Sequence, residues 1–188
     1  MPSYEEALEL FHSWTETESL RRHAYAVEAA MTEYATHLGE DVELWRMTGL
    51  LHDMDYERHP TADKHPYVGV AELKERRYPE EMTEAILGHA SYTGVPRRTR
   101  LAKALFAVDE LAGFITAVAY VRPTGLEGMK PKSVKKKLKD RAFAAAVSRD
   151  DIMAGVEELG VGLDEHIARV ISGMQADAAR LGFARADE

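Results

Sequence analysis

Met47-Thr48-Gly49-Leu50-Leu51-His52-Asp53-Met54-Asp55-Tyr56-Glu57 runs from an apolar helical stretch directly into two adjacent metal-type ligands. Burying an unpaired carboxylate costs several kcal/mol, and a cation is one of the few partners that offsets it. Neighbouring residues of a helix point roughly 100° apart, so His52 and Asp53 cannot share one ion from mid-helix; at a fraying helix end the backbone can turn them together. An apolar run before the pair and an irregular polar segment after it, Asp55 to Asp63 with Pro60 inside, fit that requirement. Alone, the pair also fits a plain helix end in which the Asp starts the next turn.

Working outward, further candidate ligands lie in or beside apolar segments: His23 upstream, and His65, His89 and Asp109 downstream. Each has an ordinary reading when taken singly. His23 suits a core histidine bonded to a backbone carbonyl, His65 a cap before Pro66, and Asp109 a partly exposed residue paired with Lys103 or Arg100. His12, His37, His59 and His166 have no comparable context and read as surface or packing residues.

Ser3 and Glu6 have the form of a capping box, followed by an apolar face that ends near Trp14. Leu20, Ala24, Val27, Ala30, Met31 and Tyr34 recur at helical spacing from Glu18 to Leu38, with Gly39 as a stop. Further helices are predicted over Val42 to Leu51, Pro66 to Arg76, and Glu80 to His89 with Pro79 as first helical residue. Arg100 to Val121 carries the strongest stripe: Leu101, Leu105, Val108, Ala112, Ile115 and Ala119. Beyond Pro123, helical segments are expected at Lys130 to Lys139, Ala142 to Val147, Ile152 to Leu159 and Asp164 to Leu181. No segment reads as a strand, so the fold class is all-α.

The chain has 188 residues, 45 % of them hydrophobic, and no cysteine. One sizeable core is the expectation. Without thiols, any metal is held by His and carboxylate, which favours divalent transition metals such as Mn, Fe, Ni, Co or Zn. A charged fraction of 30 % and the lack of an apolar run near 18 residues argue against a membrane span. The first residues lack the features of a signal peptide, so a cytoplasmic location is expected. A net charge of −8 argues against long nucleic acid as a partner. Local basic clusters at Arg97-Arg98-Thr99-Arg100 and over Lys130 to Lys139 suit a small phosphorylated molecule, although the second also reads as a solvated helix face.

In order the ligand types read H, HD, H, H, D. They stand in Leu-Arg-Arg-His23-Ala-Tyr-Ala-Val-Glu, Gly-Leu-Leu-His52-Asp53-Met-Asp-Tyr-Glu, His65-Pro-Tyr-Val-Gly-Val-Ala-Glu-Leu, Ala-Ile-Leu-Gly-His89-Ala and Leu-Phe-Ala-Val-Asp109-Glu-Leu. This series, from about Leu20 to Arg122, resembles the HD-domain superfamily of metal-dependent phosphohydrolases, and most of all its small stand-alone predicted hydrolases, a group whose name gives a reaction class and no substrate. The resemblance implies a compact helical HD bundle over 1–125, with 126–188 as a C-terminal helical extension on the same core. It implies one metal site from His23, His52, Asp53 and Asp109, with Asp53 bridging to a second ion on His65 and His89. Metal-activated water would then hydrolyse a phosphate ester, as a phosphomonoesterase or phosphodiesterase.

For proton transfer the candidates are Asp55 and Glu57, beside Asp53; for phosphate binding they are Lys64, Arg97, Arg98 and Lys132. Many superfamily members read His-Asp-Ile-Gly-Lys, whereas this chain has Tyr56 in place of the lysine, so a lysine contact to phosphate does not carry over. The same ligand order also serves di-iron oxygenases within the superfamily, and a metal-containing, non-catalytic ligand sensor is a third reading. Apolar positions near Tyr120 and Val161 suggest a homodimer.

Overall fold

The structure, a computed structural model, describes residues 1–183. Among them are nine α-helices, one 3-10 turn at Ser91–Thr93 and no strand. The capping box at Ser3 and Glu6 starts α1 (Tyr4–Trp14). Gly39, at φ 69°, ends α2 (Glu18–Leu38) in the left-handed conformation that an L side chain resists. The Asp41 carboxylate accepts the Leu44 N–H to open α3 (Val42–Leu51), and His52 is its C-cap. Then come α4 (Tyr67–Glu75), α5 (Glu80–His89) and α6 (Arg100–Tyr120), the last opened by the Thr99 side chain. Pro79 caps α5 in an extended conformation rather than forming its first turn.

Helices α2 and α6 form the axis of the core. Met31, Tyr34, Leu105, Phe114 and Ile115 on them are almost fully buried, and α3, α5, α8 (Arg149–Leu159) and α9 (Leu163–Ala176) pack around the pair. Close approach is bought with glycine. A Cβ at Gly49 of α3 would lie 2.9 Å from the Glu28 Cα of α2, one at Gly155 of α8 2.6 Å from the Ala107 Cα of α6, and one at Gly173 of α9 2.6 Å from the Ala29 carbonyl oxygen. The segment after α9 is tied back by Arg180, which reaches the buried Glu28 at 2.9 Å and the Tyr4 hydroxyl at 3.0 Å.

Basic helix α7 (Pro131–Leu138) buries Val134. The alanine-rich stretch predicted as a helix over Ala142 to Val147 is a series of turns, with Ala144 at φ 44°. Its carbonyls are taken by the Arg149 guanidinium, which donates to Ala144 at 2.5 Å, to Val147 at 2.8 Å and to Phe143, so helical propensity is overridden by a side chain. The final helix stops at Ala176 and turns carry the chain on from there. Tyr120 is exposed, with its ring 5.1 Å from that of Phe183, and Val161 is half-buried. Among the described residues, no helix is long and apolar enough to cross a membrane.

Candidate metal centre

Four helices and one turn deliver ligand-type side chains to one point. His23 comes from the second turn of α2, His52 and Asp53 from the end of α3, His65 from the turn before α4, His89 from the last residue of α5, and Asp109 from the middle of α6. His23 Nε2 lies 2.9 Å from Asp109 Oδ1, and His52 Nε2 lies 3.4 Å from the same oxygen. Asp53 is central. Its Oδ1 is 3.2 Å from Nε2 of both His65 and His89, while its Oδ2 is 3.5 Å from His52 Nε2 and 4.0 Å from His23 Nε2.

Local bonds fix which nitrogen faces inward. A carbonyl can only accept, so Nδ1–H of His52 donates to Gly49 O at 2.8 Å and Nδ1–H of His89 donates to Ile86 O at 2.5 Å. Each is a bond to the ring's own helix, three residues back. His65 Nδ1–H donates instead to Asp55 Oδ1 at 2.7 Å. All three rings therefore present Nε2, the nitrogen left for a cation, to the carboxylates.

His52 Nε2 is fully buried and, among the described residues, no hydrogen bond satisfies it. A buried, unsatisfied nitrogen aimed between two carboxylates fits a metal ligand. The spacing agrees: metal bonds of about 2.0–2.2 Å place adjacent ligand atoms roughly 2.9–3.5 Å apart. His23, His52 and Asp109 make one set of suitably close donors, and His52, Asp53 and His89 another. The electrostatics point the same way. Burial would lower the His52 pKa, but Asp53 and Asp109 hold it well above the ordinary imidazole value. Burial likewise opposes the rise of His65, yet Asp53 and Asp55 bring it to about 9. Against the effect of burial, His52 with His65 and His89 keeps Asp53 well below the usual carboxylate range. Two partly buried carboxylates thus demand positive charge, which protons or a metal can supply.

His23, Asp53, His65, His89 and Asp109 floor a cavity of about 420 Å³, walled by Tyr56, Tyr92, Phe106, Glu110, Gly113, Val147 and Asp151 among others, with His52 buried beneath it. Burial, reinforced by the neighbouring Asp109 charge, pushes Glu110 up to about 7, and its Oε2 accepts the Ser148 N–H at 3.1 Å.

The chain carries the H, HD, H, H, D arrangement on one helical bundle, and residues 20–113, half of its length, match the family model described as HD domain. It belongs to the HD domain family. Comparison with curated proteins and with solved structures finds no match. HD domains are mostly metal-dependent phosphohydrolases that bind divalent metals, and the His/Asp cluster of this HD domain is compatible with such an ion.

Around the HD centre the expected secondary residues are redistributed. Asp55 is buried beneath the site, accepting from His65 and from the Gly69 N–H at 2.7 Å, and does not line the cavity. Glu57 binds the chain entering α2, accepting the Glu16 N–H at 2.6 Å and the Thr17 hydroxyl at 2.5 Å. The proton-transfer role expected for both has no geometric support, because each is spent on a neighbouring segment. Arg97 makes a bidentate pair with Glu158 at 2.6 and 2.7 Å, donates to Gly88 O and stacks on Phe106. Lys64, Arg98 and Lys132 are exposed, and none of these four cations lines the cavity. Glu110 is not among the candidate residues read from the sequence. A signal was present: Phe106, Asp109, Glu110 and Gly113 share the i, i+3, i+4, i+7 spacing of one helical face.

Proposed function

We propose that this HD domain hydrolyses the phosphate ester of a small metabolite, a nucleotide or another phosphorylated molecule, with two divalent ions. The observation that carries the reading is the Asp53 carboxylate, whose two oxygens face different pairs of histidines: His65 and His89 on one side, His52 and His23 on the other. When bound, divalent metal supplies acidified water as nucleophile and positive charge for the phosphoryl oxygens.

The chain's own residues prepare that chemistry. His23, His52, Asp53 and Asp109 would hold one ion, and Asp53, His65 and His89 the other. The Nδ1–H bonds of His52, His65 and His89 pre-orient the three rings, so no reorganisation is needed when a ligand arrives. The cavity of about 420 Å³ lies at the small end of ligand sites, roughly 300–1,000 Å³, which favours a single small molecule. Among the described residues no Lys or Arg lines it, so the charge of a phosphate would be met there by metal and imidazole.

Elemental analysis of protein purified without chelator, paired with a phosphomonoesterase and phosphodiesterase screen in added manganese or nickel, tests the reading. The expected result is about two transition metals per chain together with hydrolysis. One metal with hydrolysis removes His65 and His89 from the ligand set. Bound iron with oxygen consumption and no hydrolysis replaces the reading with an oxygenase, and metal without any turnover replaces it with a sensor. A homodimer is part of the proposal, and a monomeric elution volume would remove it.

A further inference from the structure

The basic run over Lys130 to Lys139 lies away from the metal centre, and none of its lysines lines that cavity. Helix α7 stands instead beside the end of α6, where a second cleft of about 360 Å³ opens. Its polar walls are Arg122, Ser133, Lys136, Lys137 and Asp140, beside two valines of α6 and its end. Val118, one of them, stands nine residues beyond Asp109 on α6, roughly 14 Å at the helical rise of about 1.5 Å per residue. No described residue lines both cavities.

The cations of this cleft are positioned and lack a countercharge. Arg122 is fixed by neutral oxygens: its Nε donates to Gly125 O at 2.9 Å, and its Nη2 to Thr124 Oγ1 at 3.2 Å and to Glu127 O at 3.0 Å. Those bonds hold the guanidinium in place without reducing its charge. Lys137 Nζ lies 4.6 Å from the centre of the Phe143 ring, and Lys136 is exposed. Among the described residues, none of the three pairs with a carboxylate, whereas the neighbouring Lys135 is matched by Asp164 at 2.7 Å. Asp140, the one acid among the described lining residues, is turned to the chain beyond it: its Oδ1 accepts the Ala142 and Phe143 N–H groups at 3.1 and 3.3 Å.

A lysine-rich helix face ordinarily serves solubility or offsets the negative end of a helix. Here the charge exceeds that need. Residues 122–141 carry eight Lys or Arg and two carboxylates, on a chain whose net charge is −8. The C-terminal ends of α6 and α7 each supply only about half a negative charge. A guanidinium fork and two ammoniums around one cleft bind phosphoryl oxygens by charge-assisted bonds, and the Ser133 hydroxyl adds a donor. The cleft volume falls within the roughly 300–1,000 Å³ of small-ligand sites, which fits a small anion rather than a polymer.

We infer that the cleft between the end of α6 and α7 is a second binding site, for a small diphosphate-bearing anion, separate from the metal centre and independent of its chemistry. Arg122, Lys136 and Lys137 supply the charge, and Ser133 a hydrogen bond.

Titration calorimetry of the full chain with inorganic pyrophosphate tests this, without added divalent metal and at physiological ionic strength, where charges beyond about 8 Å are largely screened. Wild type should bind pyrophosphate, and the double variant Lys136→Gln with Lys137→Gln should bind it at least about tenfold more weakly, the scale of one charge-assisted contact. Lys130→Gln with Lys139→Gln removes the same charge from the two ends of the same helix, at exposed residues that do not line the cleft. That pair should change affinity by less than about threefold. An equal loss in both double variants means a diffuse positive field and overturns the inference. Binding that neither pair alters belongs to the metal centre and overturns it as well, as does no binding at all. Sedimentation with phosphatidylglycerol vesicles separates a free anion from a lipid headgroup: the expected result is no pelleting, and vesicle capture without pyrophosphate binding makes this face a membrane contact and overturns the site.

Discussion

The Asp55 carboxylate accepts the His65 Nδ1–H at 2.7 Å, so a buried acid that never reaches the cavity decides which ring nitrogen faces Asp53. Its other oxygen accepts the Gly69 N–H, which ties the ring to the first turn of α4. An amide at this position can satisfy either donor with its oxygen, but its NH₂ then opposes the other. Asp55→Asn should therefore weaken metal binding by about 10–100-fold, the usual cost of losing such an orienting partner. Activity should recover at saturating metal, as measured by metal titration of turnover. A turnover defect that persists at saturation would return Asp55 to a direct role in the chemistry.

Among the described residues, Asp53 is the one carboxylate that approaches all four histidines of the site. Asp53→Ala should abolish metal retention and activity together, whereas Glu57→Ala, at a residue that binds Glu16 and Thr17 and does not line the cavity, should leave metal content at the wild-type level. Elemental analysis of the two variants is the check, and full occupancy in Asp53→Ala would show the bridging assignment to be wrong.

Gly49 lets α3 approach α2, and these two helices carry His52 and His23. Gly49→Ala places a methyl against the backbone at Glu28, and overpacking of this kind costs about 1–3 kcal/mol. Gly173→Ala does the same between α9 and α2 but moves no ligand-bearing pair apart. Both should lower Tm by several degrees, and Gly49→Ala alone should also loosen metal binding. Equal metal affinity in the two variants would mean that helix separation does not reach the site.

His166 is buried on α9. Its Nε2–H donates to Ala107 O at 2.8 Å, and its Nδ1 accepts the Tyr34 hydroxyl at 2.5 Å. Burial lowers its pKa from 6.5 to about 4. Between those values the unfolded chain binds a proton that the folded chain does not, so stability rises with pH and is lost as pH falls from 6.5. Below pH 4 the full effect is about 3 kcal/mol. Chemical denaturation of wild type and His166→Gln across this range should show the wild-type advantage shrinking as pH falls. A constant difference would mean that the ring is not held neutral.

Much of the site was legible locally. His and Asp within apolar helices are costly unless paired, so His23, His52, Asp53, His89 and Asp109 announce themselves against their neighbours, and capping signals at Ser3, Gly39 and Asp41 mark where their helices begin and end. Even the face shared by Glu110 and Asp109 is written in helical spacing. The sequence could not show who would claim the remaining charges. Arg97 looked free for phosphate until Glu158, 61 residues away, came within 2.6 Å; Asp55 looked like an acid at the site until His65 and Gly69 took both its oxygens. By itself the sequence determined the helices from α1 to α6, the ligand types and their order, because those follow from local burial and backbone preference, whereas the helix expected over Ala142 to Val147 gave way to the Arg149 guanidinium. Only the tertiary structure decided which charges face the cavity and which are spent beneath it, because a long side chain pairs with whatever a distant helix brings within a few ångströms.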